Sequence, residues 1–308
     1  MKHEEQGSSN SSILSDSPLA RELADLAVRR RILSAPPPPL PRFTRVFTVA
    51  NQKGGVGKTT TTVNMAAALA RMGARVLVID LDPQGNASSA LGFDPHEDRA
   101  GIYEVLMGEQ SFNDVVRKSP EEGELYCAPS NLNLVGIEID LVGFDQREHI
   151  LQRTLNDYLR QPAGGYHYVF IDCPPSLGLL TLNALVAARE VLIPMQCEYY
   201  ALEGVTQLMR TVEKVNVQLN PTLRITTVLL TMFDSRTNLS QDVAADVRSY
   251  FTDRVLTTAI PRAVRVSEAP SHGQSVISYD TNSVGSLAYY EAAYELAQRG
   301  ASTEQEAS

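Results

Sequence analysis

The sequence is poor in cysteine, in long apolar runs and in positive charge, and each shortage excludes something. Its three cysteines, Cys127, Cys173 and Cys197, are far apart and odd in number. They show neither metal-ligand spacing nor a disulfide framework, which points to a reducing cytosol and to buried thiols. No stretch approaches the ~18 apolar residues of a membrane span. MKHEEQGSSNSS lacks the basic start and apolar core of a secretory signal. The net charge is −9, which over the whole chain speaks against nucleic acid as a partner. A basic stripe on one face is still compatible with an acidic remainder. There is no internal repeat.

What is present is a chain of 308 residues, 43% hydrophobic and 20% charged. That suits one large α/β domain or two ordinary ones. Residues 1–16 are rich in Ser and Glu and too polar to pack. Ser17-Pro18 supplies an N-cap and a first-turn proline, and Leu19, Leu23, Leu26 and Leu33 fall near one face of the helix it would open. APPPPLP, residues 35–41, reads as a stiff extended linker. The expected organisation is an N-terminal extension over 1–43, a folded domain over 44–300 and a flexible tail over 301–308.

Within the domain, apolar runs alternate with helical patterns. Strands are expected at 45–51, 75–82, 166–175, 190–195, 224–234 and 255–261. Helices are expected at 58–72, 201–216, 239–251 and 286–299. Near-continuous apolar strands between helices predict a mostly parallel twisted sheet covered on both faces.

Ligands of such sheets bind at the carboxyl ends of the strands. NQKGGVGKTT, residues 51–60, stands at the end of the first strand and opens a helix. Gly54, Gly55 and Gly57 let backbone N–H groups converge on phosphate oxygens, and the helix N-terminus adds positive potential. Lys58 is placed to reach the β and γ phosphates, and the Thr59 hydroxyl to bind Mg²⁺. The ordinary pattern wants glycine where Gln52 stands, and Lys53 follows it. A second lysine beside one phosphate site either neutralises the same γ-phosphate, points to another molecule, or is simply solvated. Two more strand ends supply acids. Asp80 and Asp82 close VLVIDLD, two residues apart and so on one side of a strand, and Asp172 closes an apolar run, the usual setting for a magnesium-water ligand.

KGGVGKTTT, VLVIDLDPQGN, FIDCPPSLG, QCEYYALEG, TMFDSRTNLS and IPRAVRVSEAPSHG together resemble the ParA/Soj chromosome-partition ATPases, a deviant Walker A group of P-loop NTPases. The resemblance covers about residues 44–299. It implies ATP and Mg²⁺ as cofactors, with Lys53, Gly54, Gly55, Val56, Gly57, Lys58, Thr59 and Thr60 around the phosphates and Pro261 beside the adenine. It implies that Lys53 crosses a nucleotide-sandwich homodimer to the partner's ATP. Asp82 would orient the attacking water, Thr59 would bind the metal directly, and Asp80 and Asp172 would hold it through waters. Arg236 and Arg265 match positions that bind DNA without sequence preference, and Arg248, Arg254 and Arg262 would extend that stripe. A ParB-type centromere-binding partner, no membrane, and a cytoplasmic, nucleoid-associated location follow from the same resemblance.

Two other readings share the loop. A membrane-cycling ATPase like MinD wants a basic amphipathic C-terminus, whereas this chain ends in the acidic SLAYYEAAYELAQRGASTEQEAS. A metal-cluster scaffold or nitrogenase-reductase-like protein wants cysteines placed to bridge a dimer, and Cys127, Cys173 and Cys197 have no paired spacing.

Overall fold

The first strand of the folded region, β1 (Arg45–Val49), is apolar enough to be buried along nearly its whole length. That is possible only in the interior of a sheet covered on both faces. The computed structural model describes residues 26–94, 97 and 99–306. Among them, seven strands form one sheet in the order β3-β4-β2-β5-β1-β6-β7. The others are β2 (Arg75–Asp80), β3 (Arg117–Lys118), β4 (Glu124–Ala128), β5 (Tyr168–Asp172), β6 (Glu190–Gln196) and β7 (Arg224–Thr231). All neighbours pair parallel except β3 with β4. This is the α/β architecture expected from the sequence.

Side chains alternate between two cores. Leu77, Ile79, Val169 and Ile171 join one apolar cluster with Leu155, Leu180 and Val205. Those three come from helices α2 (Ile150–Leu159), α3 (Leu179–Ala187) and α4 (Ala201–Gln218). On the other face Phe47 and Phe170 stack at 5.3 Å, below helix α1 (Lys58–Arg71). Each such fully buried side chain contributes about 1.5–3 kcal/mol. In α1 the run Ala66, Ala67, Ala68 and Ala70 is buried, and these small residues let the closing helix α6 (Val284–Glu306) lie close along it. Helix α5 (Asn238–Phe251) follows β7.

Several boundaries differ from the sequence reading. The expected strand over 255–261 is reduced to two isolated bridges, Val228 with Val255 and Phe233 with Pro261. The cause is a side chain: Glu295 accepts the N–H groups of Thr257 and Thr258 at 2.8 and 3.1 Å, so those donors do not extend a ladder. The closing helix α6 spans Val284–Glu306, so backbone expected to be tail over 301–306 is helical. The β3–β4 hairpin was not anticipated: β3 has only two residues, and β4 (ELYCA) carries no continuous apolar run.

The chain divides between Pro36 and Pro37 into two units, described separately. In the first, residues 26–29 are helical and Arg30–Ser34 is a 3₁₀ turn ending in extended Ala35. The rest of the helix expected over Ser17–Leu33 lies outside the described residues. The three cysteines are all buried and unpaired with one another.

Gly123, in the β3–β4 turn, has φ +94°, and a Cβ there would meet the Ala70 carbonyl oxygen at 2.4 Å. Gly123→Ala is therefore expected to destabilise the fold by roughly 1–3 kcal/mol. Urea unfolding measures it, and an unchanged midpoint would contradict this account of the turn.

Candidate functional site

The topology fixes where a ligand can sit. From β1 the chain crosses first towards β2 and β4, and later towards β6 and β7. The crevice at such a divergence lies beyond the carboxyl end of β1, where residues 51–57 run. Gly55 and Gly57 have φ +73° and +89°, and a Cβ at Gly54 or Gly55 would meet nothing within 4 Å. The loop thus has open space over Gly54 and Gly55 as it leads into α1. Its far side is tied down by Thr231 at the end of β7, whose hydroxyl donates to Val56 O at 2.9 Å.

Lys58 begins α1 and is 8% exposed. Burial pulls its amine below the ordinary value, while the carboxylates of Asp172 and Asp82 oppose that shift. A buried ammonium at the start of a helix, beside a glycine-rich loop, wants anionic oxygen. Thr59 donates to Asp172 Oδ2 at 2.7 Å and Thr62 to Asp172 Oδ1 at 3.0 Å. These bonds hold the first turn of α1 on the end of β5. Asp172 is fully buried, and burial, reinforced by the charge of Asp80, raises its carboxyl well above the ordinary range.

Asp80 stands opposite Asp172 in the β2–β5 register. Its carboxylate is already engaged: Oδ2 accepts from Ser88 N and Oγ at 2.7 and 2.6 Å, and Oδ1 from Asp82 N at 3.1 Å. Burial pushes this carboxyl up as well. β2 ends at Asp80, so the strand alternation expected to align it with Asp82 stops short. Asp82 lies in the following turn, 7% exposed, with Oδ1 accepting from Gln84 N at 3.0 Å.

The oxygens of Thr59 and Asp172 fit a magnesium ion: hard donors, and two buried carboxylates whose mutual repulsion a divalent cation relieves. Among the described residues no group of three or more His, Cys, Asp or Glu side chains could hold a metal by itself. A cation here would share phosphate oxygens, as magnesium usually does.

Lys53 behaves unlike Lys58. Its ammonium is bonded to Glu198 Oε2 at 2.6 Å, with both side chains partly exposed. Glu198, Ser88 and Thr231 were not singled out from the sequence, because each lies on another element far from the loop; Thr62 lies on α1 itself, and only its bond to Asp172 on β5 marks it. Met232, just after β7, adopts φ +51°, a conformation that bulky residues rarely hold outside functional sites. Pro261 is brought to the same sheet end by its bridge to Phe233.

That bridge also brings the two arginine segments towards one end of β7. Arg236 is highly exposed and paired with Asp234 at 2.9 Å. Its guanidinium, with that of Arg262 more remotely, pushes the Asp234 carboxyl down to about 2. Arg265 pairs with Glu268 at 2.9 Å and Asp280 at 3.6 Å. Arg248 donates to Thr257 O at 3.2 Å, and Arg254 lies in the 3₁₀ turn Thr252–Arg254.

Residues 44–225 match the family model described as an AAA domain. The chain is 51% identical to the chromosome partitioning protein ParA of Caulobacter vibrioides, over 83% of this chain and 94% of that one. It is 49% identical to the sporulation initiation inhibitor protein Soj of Bacillus subtilis, over 83% and 99%. The chain belongs to the ParA/Soj family. A solved relative, cobyrinic acid a,c-diamide synthase of Mycobacterium smegmatis with bound ADP and magnesium, superposes with a TM-score of 0.70 at 41% identity. That match covers 82% of this chain and 93% of the relative. Among the described residues of this ParA/Soj family member, no helix is long and apolar enough to cross a membrane.

The folded chain holds the Asp172 proton where the unfolded chain has released it. Without nucleotide, the contribution of Asp172 to stability should therefore be fully present at or below the ordinary carboxylate pKa of about 4 and be lost as pH rises through neutrality. Asp172→Asn cannot ionise, so at pH 8 the nucleotide-free variant should melt roughly 2–8 °C above wild type, with a smaller difference at pH 5. Scanning calorimetry at the two pH values checks this. Equal pH dependence in both proteins would show that the Asp172 carboxylate carries no such strain.

Proposed function

We propose that this chain is a ParA-type DNA-segregation ATPase whose state of assembly follows its nucleotide. ATP with magnesium binds the loop over residues 53–60, two subunits close face to face over two nucleotides, and the dimer holds DNA without reading its sequence. Hydrolysis, stimulated by a ParB-type partner in the cytoplasm at the nucleoid, returns the chain to monomers. The observation that carries the reading is the division of labour between two lysines. Lys58 is buried inside the loop, whereas Lys53 stands at its mouth, 39% exposed and held by Glu198. A cation so placed suits a phosphate brought by a second subunit, where it would offset the repulsion between two anionic sites.

Exposed apolar side chains support a face that is covered in the working state. Tyr199 and Tyr200, 76% and 61% exposed, stand beside Glu198. Val135, Ile139 and Val142 are exposed on the segment after β4. That segment is fastened by Glu138, which accepts from Leu179 N at 2.9 Å, so it touches the stretch following Asp172.

In this scheme Lys58 and the loop amides neutralise the β and γ phosphates. Thr59 would hold magnesium directly, with Asp172 and Asp80 holding it through waters, and the ion would supply charge neutralisation on the phosphate oxygens. Asp80, bonded to Ser88 and to the Asp82 N–H, also holds the turn that carries Asp82. Asp82 orients the attacking water, and Pro261 borders the base. Arg236 and Arg265 bind DNA phosphates, each exchanging an acidic neighbour for the backbone of the duplex.

Lys58→Ala is expected to lose nucleotide binding. Lys53→Ala should retain it but fail to dimerise, and Asp82→Ala should bind and dimerise yet hydrolyse on the order of 10²–10⁴ more slowly. Light scattering with a slowly hydrolysed analogue and phosphate release separate these outcomes. A Lys53→Ala dimer as abundant as wild type, or near-normal hydrolysis in Asp82→Ala, would overturn the corresponding role.

DNA binding with ATP, with ADP and without nucleotide tests the function itself, and only ATP should support it. Arg236→Ala with Arg265→Ala should weaken binding to unrelated duplexes alike. The double change should flatten the log–log salt slope by about 0.9 for each DNA phosphate that is no longer neutralised. Nucleotide-independent binding, a wild-type slope in the double variant, or ATP-dependent binding to anionic liposomes in place of DNA would each count against the proposal.

A further inference from the structure

Lys53 and Glu198 are mounted for each other. The lysine's own N–H donates to Asn51 Oδ1 at 3.1 Å, and Asn51 Nδ2 donates to Pro194 O on β6 at 2.8 Å. Glu198 follows the end of that strand, and its second carboxylate oxygen accepts from Gln196 Nε2. The base of the lysine and the head of its acid are thus fixed just beyond the ends of two adjacent strands, β1 and β6. The pair itself, at 2.6 Å, is between side chains 39% and 45% exposed, so it is weak enough to exchange.

We propose that Glu198 is the resting partner of Lys53, a positioning residue that competes within one subunit against the phosphates of the other. The inference rests on the sandwich-dimer reading above. One ammonium cannot serve both anions at full strength. To cross to a partner's γ-phosphate, each Lys53 leaves its Glu198, so closing one dimer breaks two such pairs. Glu198 therefore raises the threshold for pairing. It also recaptures Lys53 once the γ-phosphate is gone, which favours separation over a lingering product-bound dimer.

The test uses the full chain with magnesium and ATPγS, followed by sedimentation across a range of protein concentrations. Glu198→Gln keeps the shape and removes the charge. It should tighten the dimer by about 2- to 30-fold, two exposed ion pairs being relieved per dimer. Analogue affinity, measured below the concentration at which dimers form, should stay unchanged, because Glu198 acts through Lys53 and not on the nucleotide of its own subunit. Gln196→Ala, which loosens the acid's mount, should shift the dimer the same way by a smaller factor. Glu203→Gln, in the first turn of helix α4, removes the same charge from a carboxylate other than the one bonded to Lys53 and should leave the dimer unaltered.

A dimer no tighter in Glu198→Gln overturns the proposal while leaving the sandwich reading intact. So does equal tightening by Glu203→Gln, which would be a general relief of repulsion in an acidic protein. A wild-type chain that stays monomeric with ATPγS removes the sandwich reading and this inference together.

Discussion

The bonds from Thr59 and Thr62 to Asp172 are the constraint on which the rest of the site depends. They join the first turn of α1 to the end of β5, so the glycine loop between β1 and that helix is held at both ends. Asp172 sits without exposure against Asp80 across the β2–β5 ladder, an arrangement costly for two carboxylates and reasonable where a cation is to come. Stability has been given up at the place where charge is to be received. The acids are satisfied provisionally by hydroxyls and backbone N–H groups, and a magnesium–phosphate pair would complete them.

Much of this was legible in the sequence because it is local. The glycines, Lys58 and Thr59 are spaced along one turn, and the apolar runs ending in Asp80 and Asp172 announce their strand ends. What was not legible depends on residues distant along the chain. Glu198 lies 145 residues from Lys53, and no spacing rule could have paired them. The segment 255–261 has strand composition, yet Glu295 diverts its donors, and a side chain so far along the chain is invisible to periodicity. Asp80 read as a strand-end acid holding the metal through water. Its engagement with Ser88 needed the turn after β2 to be seen.

The acidic net charge and the proposed DNA surface are reconciled by pairing. Arg236 and Arg265 are each held beside carboxylates, so the free surface shows less positive potential than the arginine count suggests. Local opposition of this kind keeps a single subunit's attraction to polyanions low, and any binding relies on several weak exchanges at once. Doubling the sites by pairing subunits then matters more than the strength of any one arginine.

The closing helix α6 carries a consequence for how the protein is made. It packs along α1, with Tyr289 buried beside Thr61 at 3.5 Å between their oxygens. The helix that bears the phosphate loop is thus covered by a segment 228 residues further along the chain. β1 also waits for β5 and β6, which are made after it, before it has neighbours on either side. A nascent chain therefore carries its complete nucleotide motif long before it can use it. In the proposed cycle, the order in which the fold closes would keep partial products of translation out of assembly.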